Sequence, residues 1–205
     1  MSLVCKKATT IGEKNRARSI VEHEYLKMGY LIHKEATPPQ IPSTPYLREA
    51  TSETYALYLD KKIIGTISII MDSVHGLPMD ALFKSELDTF RKKDEHLAEV
   101  VQLAIDEEIL AQSGMLKKNI ERLRFLTSLF QAVLRSAHRA HISTLCIMVN
   151  PKHDTFYEHI GFRTIGEEKS YPPLQNAPAV PKVLTLKNKL NSIVKSHILS
   201  QILYI

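Results

Sequence analysis

Cysteine is scarce in this chain of 205 residues: Cys5 and Cys146 are the only two and lie far apart. That excludes a disulfide framework and zinc-type spacing. No stretch approaches the roughly 18 continuous apolar residues of a membrane span. The opening Met-Ser-Leu-Val-Cys-Lys-Lys lacks the apolar run and small-residue cleavage site of a secretory signal. The expected location is therefore a reducing cytoplasm. Internal repeats and low-complexity tracts are missing, as are a P-loop, a dinucleotide fingerprint and a nucleophile-elbow serine. Among the nine histidines, His138 with His141 and His153 with His159 come near each other in sequence. No carboxylate or cysteine spacing completes a set of ligands, so no metal is expected.

What is present describes an ordinary globular protein, with 44% hydrophobic and 24% charged residues. The length favours one domain, expected over residues 1–186, followed by an amphipathic helix over 187–205. In that tail Leu190, Ile193, Val194, Ile198, Leu199 and Ile202 recur at helical spacing, and its charges are all basic. Core or dimer packing would explain it, and so would weak contact with a membrane surface.

The net charge of +5 is concentrated. Between Met115 and His141 stand Lys117, Lys118, Arg122, Arg124, Arg135 and Arg139 against Glu121 alone, whereas residues 80–108 carry nine acids and four bases. A basic face of this kind is either a solvated helix surface or the docking side for an acidic partner. Aromatic interleaving is sparse and no nucleic-acid motif occurs, so nucleic acid is not expected.

Periodicity predicts a helix over Asn15–Met28 and a proline-rich loop over Lys34–Arg48. A hairpin of Tyr55–Leu59 with Ile63–Met71 follows, then a partly helical segment over Asp80–Glu95. His96–Ile105 reads as a central strand apolar on both faces. A long amphipathic helix spans Asn119–Ala140, Ser143–Val149 is a buried strand, and a short helix runs from Pro151 to His159, closed by Gly161. Strands near Phe162–Gly166 and Val180–Leu186 complete the order, which describes an α/β fold: a mixed sheet with helices on both faces.

This order is similar to the GNAT acyltransferase fold, a mixed and mostly antiparallel sheet. The run from Asn150 to Phe162, with Phe156-Tyr157 and Gly161-Phe162, resembles that superfamily's closing element. Gly76-Leu77-Pro78-Met79-Asp80, Glu86-Leu87-Asp88, Leu97-Ala98-Glu99-Val100, Tyr171-Pro172 and Asn176-Ala177-Pro178-Ala179-Val180 resemble, in that order, the long-chain N-acyl amino acid synthases. These are a GNAT branch akin to acyl-homoserine-lactone synthases. The resemblance runs from about Lys14 to Leu186. It implies an acyltransferase that joins a long-chain acyl group, carried on acyl carrier protein, to the amine of an amino acid. The cofactor is then the donor itself, an acyl-phosphopantetheine, with nothing bound permanently. The family pattern leads one to expect a serine and an arginine where Val101 and Gln102 stand, a change that bears on substrate choice. The segment Ala111–Met115 also lacks the glycine-rich pyrophosphate loop of coenzyme A-dependent relatives. An acyl-coenzyme A-dependent N-acetyl- or acyltransferase and a non-catalytic acyl-carrier-binding module are the competing readings.

Aminolysis of a thioester needs a neutral amine, a site for the oxyanion and a proton for the departing thiolate. Glu99 is the candidate base. On an alternating strand it shares a face with Leu97, Val101 and Leu103, so burial would raise its pKa. The alternative is a carboxylate tied to an arginine or lysine. Tyr157 is either the acid that protonates the thiolate or a core aromatic beside Phe156 and Phe162. A backbone N–H near Val101 would meet the oxyanion. Asn150 either bonds the pantetheine arm or caps the helix after it. Lys117, Lys118, Arg122 and Arg124 are the donor-docking candidates, since carrier proteins are acidic.

Overall fold

The structure, a computed structural model, describes residues 2–32, 41–93, 95–111 and 115–186, with side chains other than those of 110 and 115–119. The expected tail helix over 187–205 lies outside these residues, as do the side chains of Lys117 and Lys118. In chain order the elements are β1 (Leu3–Lys7), α1 (Ile11–Lys27), β2 (Ser52–Leu59), β3 (Lys62–Met71), α2 (Asp80–Arg91), β4 (Leu97–Ile105), α3 (Glu107–Ala111) and α4 (Met115–Arg139). Then come β5 (Thr144–Val149), α5 (Asp154–His159), β6 (Arg163–Thr164), β7 (Lys169–Tyr171) and β8 (Ala177–Thr185).

Among the described residues the strands form one sheet in the order β1-β2-β3-β4-β5-β8-β6, with β7 pairing to β8. Every pairing is antiparallel except that of β4 with β5. The mixed, mostly antiparallel sheet is thus as the sequence implied. Two strands went unforeseen, β1 and the three-residue β7, which exists by pairing with β8. β1 is too short and too exposed for a periodic signal, and pairing with β2 defines it. Helix α1 begins four residues before the pattern suggested, because Thr10 and Glu13 form a capping box. The Thr10 hydroxyl accepts from Glu13 N–H at 3.2 Å and the Glu13 carboxylate accepts from Thr10 N–H at 3.0 Å.

Helices cover both faces. Phe125, Leu129, Phe130 and Val133 of α4 pack with Ile67, Ile69, Ala98 and Val100 of the sheet. On the other face Phe83, Leu87 and Phe90 of α2 meet Ile70, Leu97 and Cys146, while Ile20 and Val21 of α1 meet Ala104. Burying apolar side chains at roughly 25 cal/mol per Å² drives this layering. Among the described residues no helix is long and apolar enough to cross a membrane.

Candidate active site

β4 and β5 pair over only three residues, Leu97 with Thr144, Ala98 with Leu145 and Glu99 with Cys146. Beyond Glu99 the strands part, and β4 runs on to Ile105 with no ladder partner on that edge. The split opens a cavity of about 480 Å³, lined by Glu99–Ile105 of β4, Ile147–Asn150 at the end of β5, and α5. Past Glu99 this edge of β4 has no ladder partner among the described residues. An unpaired strand edge is where backbone N–H groups can serve a ligand, and the oxyanion of a thioester addition requires such donors.

Glu99 lies at the root of this split and is 1% exposed. Its carboxylate accepts one hydrogen bond, from Met79 N–H at 2.8 Å, and no ion pair among the described residues reaches it. Burial pushes its pKa up to about 8; the Met79 N–H works against this, and the nearby charge of Asp80 adds to it. The alternative of a carboxylate tied to arginine or lysine is therefore not what the structure holds.

Arg91 is the nearby cation, and it is engaged elsewhere. It bonds Asp72 at 2.6 and 3.1 Å, Asp80 twice at 2.8 Å, and Asp88 at 2.9 Å. Asp80 also accepts from Leu77 N–H at 2.7 Å. Gly76 sits at φ 71, where a Cβ would come within 2.5 Å of Asp80 Oδ2. The sequence motifs containing Gly76, Met79, Asp80 and Asp88 thus build one bracket that presents the Met79 N–H to Glu99.

Tyr157 reaches the cavity from the opposite face. Its ring stands edge-on to Phe130, Phe156 and Phe162, with centroids 6.4, 5.1 and 5.8 Å away. Its hydroxyl makes no hydrogen bond among the described residues, and burial holds the phenol well above its ordinary pKa. The ring packs against the core, and the residue also lines the cavity. Asn150 also lines the cavity, and its Oδ1 accepts from Lys152 N–H at 3.1 Å, capping the turn that leads into α5.

The strand is not regular past Val101. Gln102 has φ 54, and the β3–β4 register slips between Thr66 and Ser68. This bulge reverses the alternation. Val101 packs with Leu97 on the α2 side, as expected, but Leu103 packs with the α4 cluster. The expectation that Leu103 shares the face of Glu99 is corrected here, although Leu103 does line the cavity. Arg122 also lines it, paired with Glu107 at 2.5 Å, and its buried Nε has no partner among the described residues. Arg124 points to solvent.

Sequence reasoning missed several residues. Tyr25, placed in a helix pattern as one apolar residue among others, borders Glu99 within the cavity. Burial first, then Tyr30, Tyr171 and Glu99, push its pKa up to about 12. Tyr171 is raised to about 12 by burial and by Glu99. Both phenols therefore stay neutral beside the carboxylate. Lys182 of β8 is fully buried, with Nζ 2.8 Å from Thr164 Oγ1, 3.0 Å from Glu158 Oε1 and 3.4 Å from Asp154 Oδ1. It clamps α5, and with it Tyr157, onto the sheet. Among the described residues no three metal-ligating side chains gather.

Known proteins share this fold. The family model "N-acyl amino acid synthase FeeM" matches residues 16–185. The solved structure of FeeM, an N-acyl amino acid synthase from uncultured soil microbes, is 35% identical with a TM-score of 0.77, covering 91% of this chain and 92% of that one. A GNAT-family acetyltransferase from Staphylococcus aureus Mu50 shares the fold at 12% identity and a TM-score of 0.56, over 91% of this chain and 100% of its own. The NatC complex bound to Gag peptide and CoA does so at 13% identity and 0.56, again over 91% and 100%. No curated protein sequence matches. A GNAT sheet split at β4 and β5, an unneutralised carboxylate at the root of the split, and a family match over nearly all the described chain agree: the chain belongs to the FeeM family of N-acyl amino acid synthases, which are acyltransferases.

Proposed function

We propose that this acyltransferase takes a long-chain acyl group from the phosphopantetheine arm of an acyl carrier protein and forms an amide with an amino acid. The observation that carries the reading is the buried, cation-free Glu99 at the root of the β4–β5 split. The acyl thioester lies in the split, its carbonyl oxygen against the free β4 edge near Val101. The Glu99 carboxylate takes the proton from the attacking amine. The new C–N bond forms and the oxyanion draws on backbone N–H groups. Collapse breaks the C–S bond, and the Tyr157 hydroxyl gives its proton to the leaving thiolate. Val101 and Leu103 contact the arm and acyl chain, and Asn150 bonds the arm where it passes the end of β5.

A carrier protein is favoured over coenzyme A by the segment before α4, which has no glycine-rich loop to hold a diphosphate. The basic residues Lys117, Lys118, Arg122 and Arg124 support docking of an acidic carrier. Two free cysteines and a carrier-bound donor fit a cytoplasmic enzyme.

Mass spectrometry of purified protein with palmitoyl-loaded acyl carrier protein and a pool of the common amino acids tests this. One new N-palmitoyl amino acid is expected. Product from acyl-coenzyme A but not from the loaded carrier would replace the donor assignment. Tight carrier binding with no product from either donor would make the chain a binding module.

A further inference from the structure

Gln102 is a non-glycine residue in the left-handed region, in the middle of a strand. That conformation costs about 1–2 kcal/mol, and strain of this kind persists where the surroundings impose it. Strict alternation from Glu99 would send residue 102 toward α4. The bulge instead turns it to the Glu99 side, where Nε2 donates to Ser43 Oγ at 3.0 Å. Both residues are buried and both line the cavity. Ser43 uses one N–H of the carboxamide. No protein partner among the described residues is recorded for the second N–H or for Oε1, and the residue lines the cavity. Three residues of extended chain separate Gln102 from Glu99, about 10 Å at most between their Cα atoms. An amino acid carries its amine and its carboxylate on one carbon, so a substrate whose amine meets Glu99 presents its carboxylate near this carboxamide. Arg122, the arginine lining the cavity, gives Nη2 to Glu107, while its Nε has no partner among the described residues.

We infer that Gln102 is a specificity-determining residue that reads the acceptor's carboxylate. Its free N–H donates to a carboxylate oxygen, and Ser43 holds the carboxamide in the orientation that does so. The inference rests on the synthase reading and on Glu99 as its base. A competition assay tests it, offering each common amino acid together with its own carboxamide and reading the N-acyl products by high-resolution mass spectrometry. The wild-type protein should favour the acids. Gln102→Glu removes the donor and adds a like charge, and should shift the acid-to-amide product ratio about 10-fold or more toward amides. Gln102→Leu should lose the acid preference without gaining amides, and the KM for the acyl carrier should stay unchanged in both. An unaltered acid-to-amide ratio in both variants, even with lowered turnover, would leave Gln102 as a staple for the 41–45 loop and overturn the inference. If the wild type yields no acyl product at all, the synthase reading fails separately, and thermal shifts still read Gln102. The amino-acid pool should stabilise the wild type more than the amide pool, and Gln102→Glu should reverse that order. No reversal sinks the inference.

Discussion

Two ionisable groups lie buried in neighbouring parts of one sheet, and their surroundings differ in kind. Lys182 on β8 has a hydroxyl and two carboxylates around its ammonium, two of them in α5. Glu99 on β4 has a single backbone N–H and, among the described residues, no cation. Burial alone thus says little about function. A buried charge with a full set of partners is a clamp, and one deprived of them is held at a pKa where it can exchange protons near neutrality.

The sharpest way to break this contrast is Glu99→Gln. It should cut turnover about 100-fold or more while leaving the fold intact; retained activity in a steady-state assay would remove Glu99 as the base. Wild-type rate should rise as pH climbs through about 8, because the base must lose its proton first. Stability should move the opposite way. The folded pKa lies above the unfolded carboxylate value, so the folded state holds the proton more tightly. Stability is then fully present below the unfolded pKa, about 4.5, and is lost as pH rises toward 8, by up to about 1.4 kcal/mol per pH unit. Denaturant titrations of Glu99→Gln should show that loss largely abolished.

Lys182→Ala probes the clamp. Breaking its pairs and leaving a void should cost roughly 3 kcal/mol, measurable by chemical denaturation. Catalysis per folded molecule should fall far less than in Glu99→Gln. A loss of chemistry without a loss of stability would mean that Lys182 belongs to the reaction instead.

Gly76→Ala tests the bracket behind Met79. An alanine at positive φ costs about 1 kcal/mol, and its Cβ must displace the Asp80 carboxylate. Turnover should drop about 10-fold with the carrier KM unchanged, and a normal kcat would uncouple the bracket from Glu99. Smallest is Arg124→Glu on the exposed side of α4. It should raise the carrier KM a few-fold and flatten its salt dependence, with turnover at saturation untouched; an unchanged KM would remove Arg124 from the docking surface.

Much of this was legible in advance. β4 reads as a doubly covered strand because apolar residues run along it almost unbroken. Gly76, Asp80, Asp88 and Glu99 stand out as motif residues before any coordinates. What escaped notice has a common cause. β1 carries too few apolar residues to signal itself and exists by pairing with β2. The bulge at Gln102 is invisible to a pattern of period two, so Leu103 was assigned to the wrong face. Tyr25 and Lys182 looked like one more helix residue and one more strand residue, since no local pattern names their neighbours.

Local chemistry along the chain therefore determined most of the order of helices and strands, the layering of the sheet and the candidate carboxylate. Those depend on propensity, periodicity and residue type, all short-range properties. The tertiary structure alone decided whether that carboxylate would be neutralised. Asp80, Asp88 and Arg91 lie on α2, Asp72 follows β3 and Glu99 stands on β4, and whether the arginine reaches Glu99 or three aspartates depends on where those segments meet in space. A pKa near 8 depends on which groups end up beside Glu99, and only folding brings those groups together.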